Sequence, residues 1–136
     1  MTRLEGLALA LLRVVVGYLF IQHSAQKLFG ALGGRPVPLA SMLGAAGVIE
    51  LIGGVLILLG LFTRAAAFIL AGEMASAYFM VHAPRGFLWP VANGGEPAVF
   101  YCFLLLYLWT RGAGPISLDA SMRHVEPGTR PAHASP

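Results

Sequence analysis

The sequence predicts an all-α integral membrane protein, a four-helix bundle with both termini on the cytoplasmic side. Three observations carry that expectation. The 136 residues are 57% hydrophobic and 11% charged, whereas a water-soluble domain coats itself with about a quarter charged residues. The apolar residues gather into four runs at or near the roughly 20 helical residues that cross a bilayer core of about 30 Å. Between those runs stand glycine- and proline-rich breaks that cannot continue a helix.

The first run, residues 5–29, ends in "FIQHSAQKLFG" (20–30). Arg3 near its start suits a signal peptide, but Arg13 interrupts the apolar region and more spans follow, so it reads as a retained helix. After "GALGGRPVP" (30–38) comes the second run, 42–62, and then the third, 65–83, with Thr63 and Arg64 between them read as a very tight turn. "HAPRGFLWPVANGGEP" (82–97) reads as a hairpin. The fourth run, 97–110, is short for a span and opens on Pro97, which suits a first helical turn because its missing N–H is not needed there. "RGAGP" (111–115) stops it, so residues 1–115 make the membrane domain and 116–136, with Pro127, Pro131 and Pro136, a polar and disordered tail.

Topology follows from the positive charges. With four spans both termini share one side, where Arg3, Arg64, Arg111, Arg123 and Arg130 outnumber Lys27, Arg35 and Arg85 on the other, which puts the termini inside. The net charge of +3 is therefore a topology signal. The basic residues never form a stripe, which excludes nucleic acid as a partner. A single cysteine, Cys102, excludes an internal disulfide and a CxxC redox pair, and it reads as a packed small hydrophobe. His82, His124 and His133 lie at a helix end or in the tail, so no metal set and no haem or iron on this chain is expected.

Charged groups inside the spans are the informative residues, because each costs about 2.5 kcal/mol or more in hydrocarbon and must find a partner. By depth, Arg13 and Glu73 both lie roughly 12 Å from the inner face, which predicts an intramembrane ion pair between them. Glu50 sits in the outer half, and Gly47 and Gly54 on its own helix face let another helix approach. His23 and Lys27 are one helical turn apart, and Arg13 and Lys27 differ by about 40° in azimuth, so the first helix carries one polar seam. His23, Lys27, Glu50, Glu96 and Asn93 of "NGGEP" (93–97) are then expected to gather as a polar cluster in the outer half.

The succession of Arg13, "GYLFIQHSAQKLFG" (17–30), "GVIELIGGVLILLGLFTR" (47–64), "EMASAY" (73–78), "NGGEPAVFY" (93–101) and "GAGPISLD" (112–119) resembles the DoxX family of small four-helix bacterial membrane proteins. The likeness covers roughly residues 5–119. Where the family pattern has His-Gly-x-x-Lys-Leu at the end of the first helix, Ser24 replaces the glycine. The resemblance implies a bacterial inner-membrane location and marks Arg13, His23, Lys27, Glu50, Glu73, Asn93, Gly94, Gly95 and Glu96, and it associates the family with quinol oxidase and thiosulfate:quinone oxidoreductase subunits.

Two functions of different classes fit these residues. In the first, the chain is the membrane subunit of a quinone-linked oxidoreductase complex: His23 and Lys27 donate hydrogen bonds to a quinone carbonyl, Glu50 or Glu96 exchanges protons, and a partner protein carries the redox centre. In the second it is a non-enzymatic scaffold or assembly factor whose intramembrane charges are structural ion pairs. No cofactor is required by the sequence, quinone belongs to the first reading alone, and the bilayer is the one certain partner. The sequence leaves both the catalysis of any reaction and homo-oligomer formation open, the latter with only Gly44, Gly47, Gly53 and Gly54 in its favour.

Overall fold

The computed structural model describes residues 1–123. Those residues form helices and turns, with no strand among them. Helix α1 spans Arg3–Phe29, α2 Met42–Leu59 and α3 Thr63–Ala77; α3 runs on through a π-helical turn, Tyr78–His82, and a 3-10 turn, Ala83–Arg85. A short helix α4, Pro90–Asn93, precedes α5, Glu96–Arg111, and α6, Leu118–Arg123, comes last. Three of these units are long and apolar enough to cross a membrane: Arg3–Phe29, Met42–Leu59 and Thr63–Arg85. Helix α5 is apolar but has 16 residues, roughly 24 Å of helix.

Local chemistry sets the ends. Thr2 and Glu5 close a capping box on α1, the Thr2 hydroxyl accepting from the Glu5 N–H and the Glu5 carboxylate from the Thr2 N–H. Ser41 caps α2 by accepting from the Gly44 N–H at 3.0 Å. The turn between α2 and α3 is made by Gly60, Leu61 and Phe62, one step before the Thr63–Arg64 position that the apolar runs suggest; both of those residues lie in the first turn of α3. Gly60 is required there twice. Its φ is 69°, and a side chain on it would collide with the Arg13 guanidinium.

Helix α1 packs along α2 and α3 along α5, with α2 against α3 joining the two pairs. The core between them holds Leu9, Val16, Phe20, Ile57, Leu70, Met74, Leu105 and Leu108. At Gly17 the α1 and α2 backbones touch: a methyl group added there would lie 2.6 Å from the Gly54 carbonyl oxygen. Gly47 faces Leu28 and Lys27, and Gly53 faces Leu70. The helix that approaches the face of Glu50 is therefore α1, and these glycines are occupied within the chain.

Outside that core the distribution is the reverse of a water-soluble protein. Leu4, Leu11, Val15, Tyr18, Ile52, Phe68, Ile69, Phe100 and Phe103 face outward, while Arg13, Ser24, Glu50, Thr63 and Asn93 are buried. Such a surface is matched by lipid.

The tail expected from residue 116 does not start there. Ile116 is bonded to α1 and Asp119 to the α2–α3 turn and the start of α3, and Leu118–Arg123 is helical. The remainder of the expected tail, 124–136, lies outside the described residues.

Candidate functional site

Arg13 and Glu73 do not pair. Arg13, 3% exposed, donates from Nη1 to the carbonyls of Ile57 (2.9 Å) and Leu58 (2.8 Å) and from Nη2 to that of Ile116 (2.8 Å). The last carbonyls of α2 have no partner within their own helix, and a cation at a helix C-terminus suits its dipole, so the guanidinium acts as a cap supplied by a neighbouring helix. Beside it the Asp119 carboxylate accepts from the N–H groups of Phe62 (2.8 Å) and Thr63 (3.0 Å), and its own N–H donates to the Gly60 carbonyl (2.8 Å). Phe62 has φ 47° and offers no side-chain oxygen at the start of α3, so the cap comes from the far end of the chain. These contacts knot together the end of the molecule nearest the N terminus, called here the proximal end.

At the distal end Lys27, Glu50 and Glu73 come together from α1, α2 and α3. The Lys27 Nζ donates to Glu50 Oε1 at 2.7 Å, an ion pair in which the Lys27 side chain is 29% and the Glu50 side chain 2% exposed. Glu50 lies on the side of α2 that its glycines open to α1, which is why the end of the first helix can reach it. Glu73 shares a cavity wall with Lys27. Neither Glu73 oxygen, nor Glu50 Oε2, has a hydrogen-bond partner among the described residues, and all three atoms are buried.

A cavity of about 330 Å³ between α2 and α3 reaches Lys27 and Glu73. Lys27 and Glu73 are its charged lining residues; the rest of the wall is apolar apart from Ser76, with Ile49 and Ile69 on either side and Met42, Met74 and Met80 around it. The Ser76 hydroxyl already donates to the Gly72 carbonyl at 2.8 Å. Met80 and Val81 belong to the π-helical turn, a local widening of the helix that often accompanies function.

The other expected members of the cluster lie elsewhere. His23 is exposed and presents its ring edge-on to Tyr101, centroids 6.4 Å apart, away from the cavity lining. Glu96 is exposed in the first turn of α5, where a carboxylate suits the helix dipole. Asn93 is buried but fully engaged: its amide donates to the Gly86 carbonyl (2.8 Å) and the Tyr78 hydroxyl (3.3 Å), and its Oδ1 accepts from the Gly95 N–H (2.7 Å). Tyr78 in turn donates to the Phe87 carbonyl, so Asn93 closes the hairpin between α3 and α5. Ser24 is wholly buried, which explains why a small residue stands there. Glu73, paired with Arg13 on depth alone, is the cavity residue that sequence reasoning misplaces. Its signal is the helical spacing of Ile69, Glu73, Met80 and the neighbouring Ser76 and Ala77, which share the same wall. No group of metal-ligating side chains occurs among the described residues.

A helical chain with an apolar outward surface, buried charges and three helices fit to span a bilayer is a multi-pass membrane protein. Residues 8–83 match the DoxX family, and the chain belongs to it. An uncharacterized protein of Haemophilus influenzae (strain Rd) is 50% identical over 117 residues, covering 82% of this chain and 87% of that one. A second H. influenzae protein, also uncharacterized, is 36% identical over 78 residues, 57% of this chain and 51% of its own length. An uncharacterized membrane protein of Mycobacterium tuberculosis is 30% identical over 125 residues, 79% of this chain and 77% of that protein. No solved structure matches significantly.

Proposed function

We propose that this protein is the membrane subunit of a quinone-linked oxidoreductase complex in the bacterial inner membrane, with α5 as a fourth span, both termini cytoplasmic and the redox centre on a partner protein. The observation that supports it is the cavity of about 330 Å³, at the lower end of ligand-pocket sizes, which is apolar except where Lys27 and Glu73 meet it. An amphiphile with a ring and a polar edge suits that wall. Lys27 supplies a donor to a quinone carbonyl, and Glu73, rather than the Glu50 or Glu96 expected from sequence, is the carboxylate beside it. Opposite α2 and α3 faces leave the cavity open toward lipid, so a quinone enters sideways without crossing water.

The test is extraction with organic solvent from the full chain purified in mild detergent. Quinone is expected in the extract and is lost in Lys27→Met and in Ala46→Phe, which fills the cavity wall without touching a charge. Protein that is folded and free of quinone sinks the reading. A scaffold or assembly factor is the second reading, favoured by the self-neutralising Lys27–Glu50 pair; it expects function to survive Ala46→Phe. Topology is checked separately by reporters fused near Gly34 and after Arg123, which give opposite signals if four spans are present.

A further inference from the structure

The polar edge of the cavity is unbalanced in charge. Lys27 and Glu73 are the two charged groups in the wall, and the Lys27 ammonium is already bonded at 2.7 Å to Oε1 of Glu50, a buried carboxylate outside the lining. Three carboxylate oxygens in the trio, Glu73 Oε1 and Oε2 and Glu50 Oε2, accept no hydrogen bond, and Glu50 is 2% exposed. The one remaining polar lining side chain, Ser76, has directed its hydroxyl at its own helix. An uncompensated carboxylate in hydrocarbon is costly, and a positive charge delivered to it offsets that cost.

The remaining wall says what kind of cation. Apolar side chains from α2 and α3 surround the charged edge, and Met42, Met74 and Met80 present polarisable, flexible thioethers that adapt to varied shapes. Water-stripped inorganic ions prefer a full cage of oxygens, which these walls do not supply. Organic cations carrying their own apolar surface fill the cavity and place one charge at Glu73. We infer that the cavity is a binding site for lipophilic organic monocations, with Glu73 as the charge-bearing acceptor, Glu50 as a supporting negative charge, and Lys27 as an opposing one.

This goes beyond the quinone reading and makes opposite use of Lys27. For a quinone, Lys27 is the donor and its loss weakens binding. For a monocation, Lys27 is a like charge, and its removal strengthens binding.

The experiment is calorimetric titration of the full chain, in an uncharged detergent, with benzyltrimethylammonium chloride and with benzyl alcohol as the neutral control. Saturable binding of the ammonium at one site per chain is expected, with affinity for the alcohol at least about tenfold lower, since one unscreened charge contact is worth that factor or more. Glu73→Gln keeps the shape of the side chain and lowers ammonium affinity by about tenfold; Lys27→Met raises it; Ala46→Phe abolishes binding of the ammonium without changing any charge. Circular dichroism melting of each variant establishes that it is folded. Equal affinity for the two probes, ammonium binding unchanged in Glu73→Gln, or ammonium binding weakened in folded Lys27→Met overturns the inference. Absence of quinone in the extract leaves these outcomes unaffected, so the failure of either reading is visible apart from the other.

Discussion

At the proximal end a buried Arg13 spreads its charge over three backbone carbonyls and Asp119 accepts two backbone N–H groups, while at the distal end the Glu73 carboxylate and one Glu50 oxygen meet no donor among the described residues. Both ends bury charge in a chain that has few charges to use. At the first, Arg13 Nε and the Thr63 hydroxyl lack a partner; at the second, three of the four carboxylate oxygens do. The difference separates charge that holds helices together from charge left available. A satisfied buried ion stabilises by its bonds, and losing it orphans the backbone groups it served. An unsatisfied one adds little to the fold and calls for a reason beyond it.

The largest expected effect is therefore at Arg13. Arg13→Ala orphans the carbonyls of Leu58 and Ile116, leaves that of Ile57 with the Gly60 N–H alone, and should cost about 3 kcal/mol or more, seen as loss of membrane-inserted protein and an early unfolding transition in detergent. Arg13→Lys recovers little of this, since one ammonium lacks the planar fork that reaches several acceptors. If Arg13→Ala melts with the parent protein, the proximal knot is not structural and the comparison collapses.

Next comes the Lys27–Glu50 pair, part exposed and part buried. Lys27→Met leaves Glu50 alone in the core and should cost about 2 kcal/mol, between the values for surface and buried pairs. Combining Lys27→Met with Glu50→Gln is expected to be milder than Lys27→Met alone; additive losses in a double-mutant cycle would show that the two charges do not act on each other.

A smaller loss, about 1 kcal/mol, is expected for Asp119→Ala, the ordinary worth of a helix cap, read from the same unfolding transition. Smallest is Glu73→Gln, which removes a carboxylate without hydrogen bonds and should leave the melting temperature unchanged or slightly raised. A large destabilisation there would move Glu73 to the structural side.

Much of this architecture can be read from the chain. Apolar runs broken at Gly30, near Thr63–Arg64 and around Pro90 place α1, α2, α3 and α5 to within a few residues, because helix ends are local events. The reach of Lys27 toward Glu50 is also legible, since azimuth and depth on neighbouring helices need only the helical period. Arg13 is misassigned because pairing side chain with side chain overlooks the backbone: the carbonyls ending α2 are written in no residue letter. Asp119 falls into the expected tail for a similar reason, its polar neighbours resembling linker, although it lies in the "GAGPISLD" stretch that carries part of the family likeness. Glu96 and Asn93 group with the distal cluster only on sequence proximity to a helix start, and it is the hairpin geometry, with Asn93 tied to Gly86 and Tyr78, that holds them apart from it.

The Arg13 contact also orders events during synthesis. Its Nη2 reaches a carbonyl 103 residues further along the chain, and ribosomes add about 5–20 residues per second, so the first helix waits roughly 5–20 s for that acceptor. Over that interval Arg13 enters the membrane with at most the end of α2 to serve, and the nascent protein is an open chain of helices. Translation through Ile116 and Asp119 closes it, so a stop codon before that point releases a product with Arg13 short of an acceptor and α3 without its Asp119 cap.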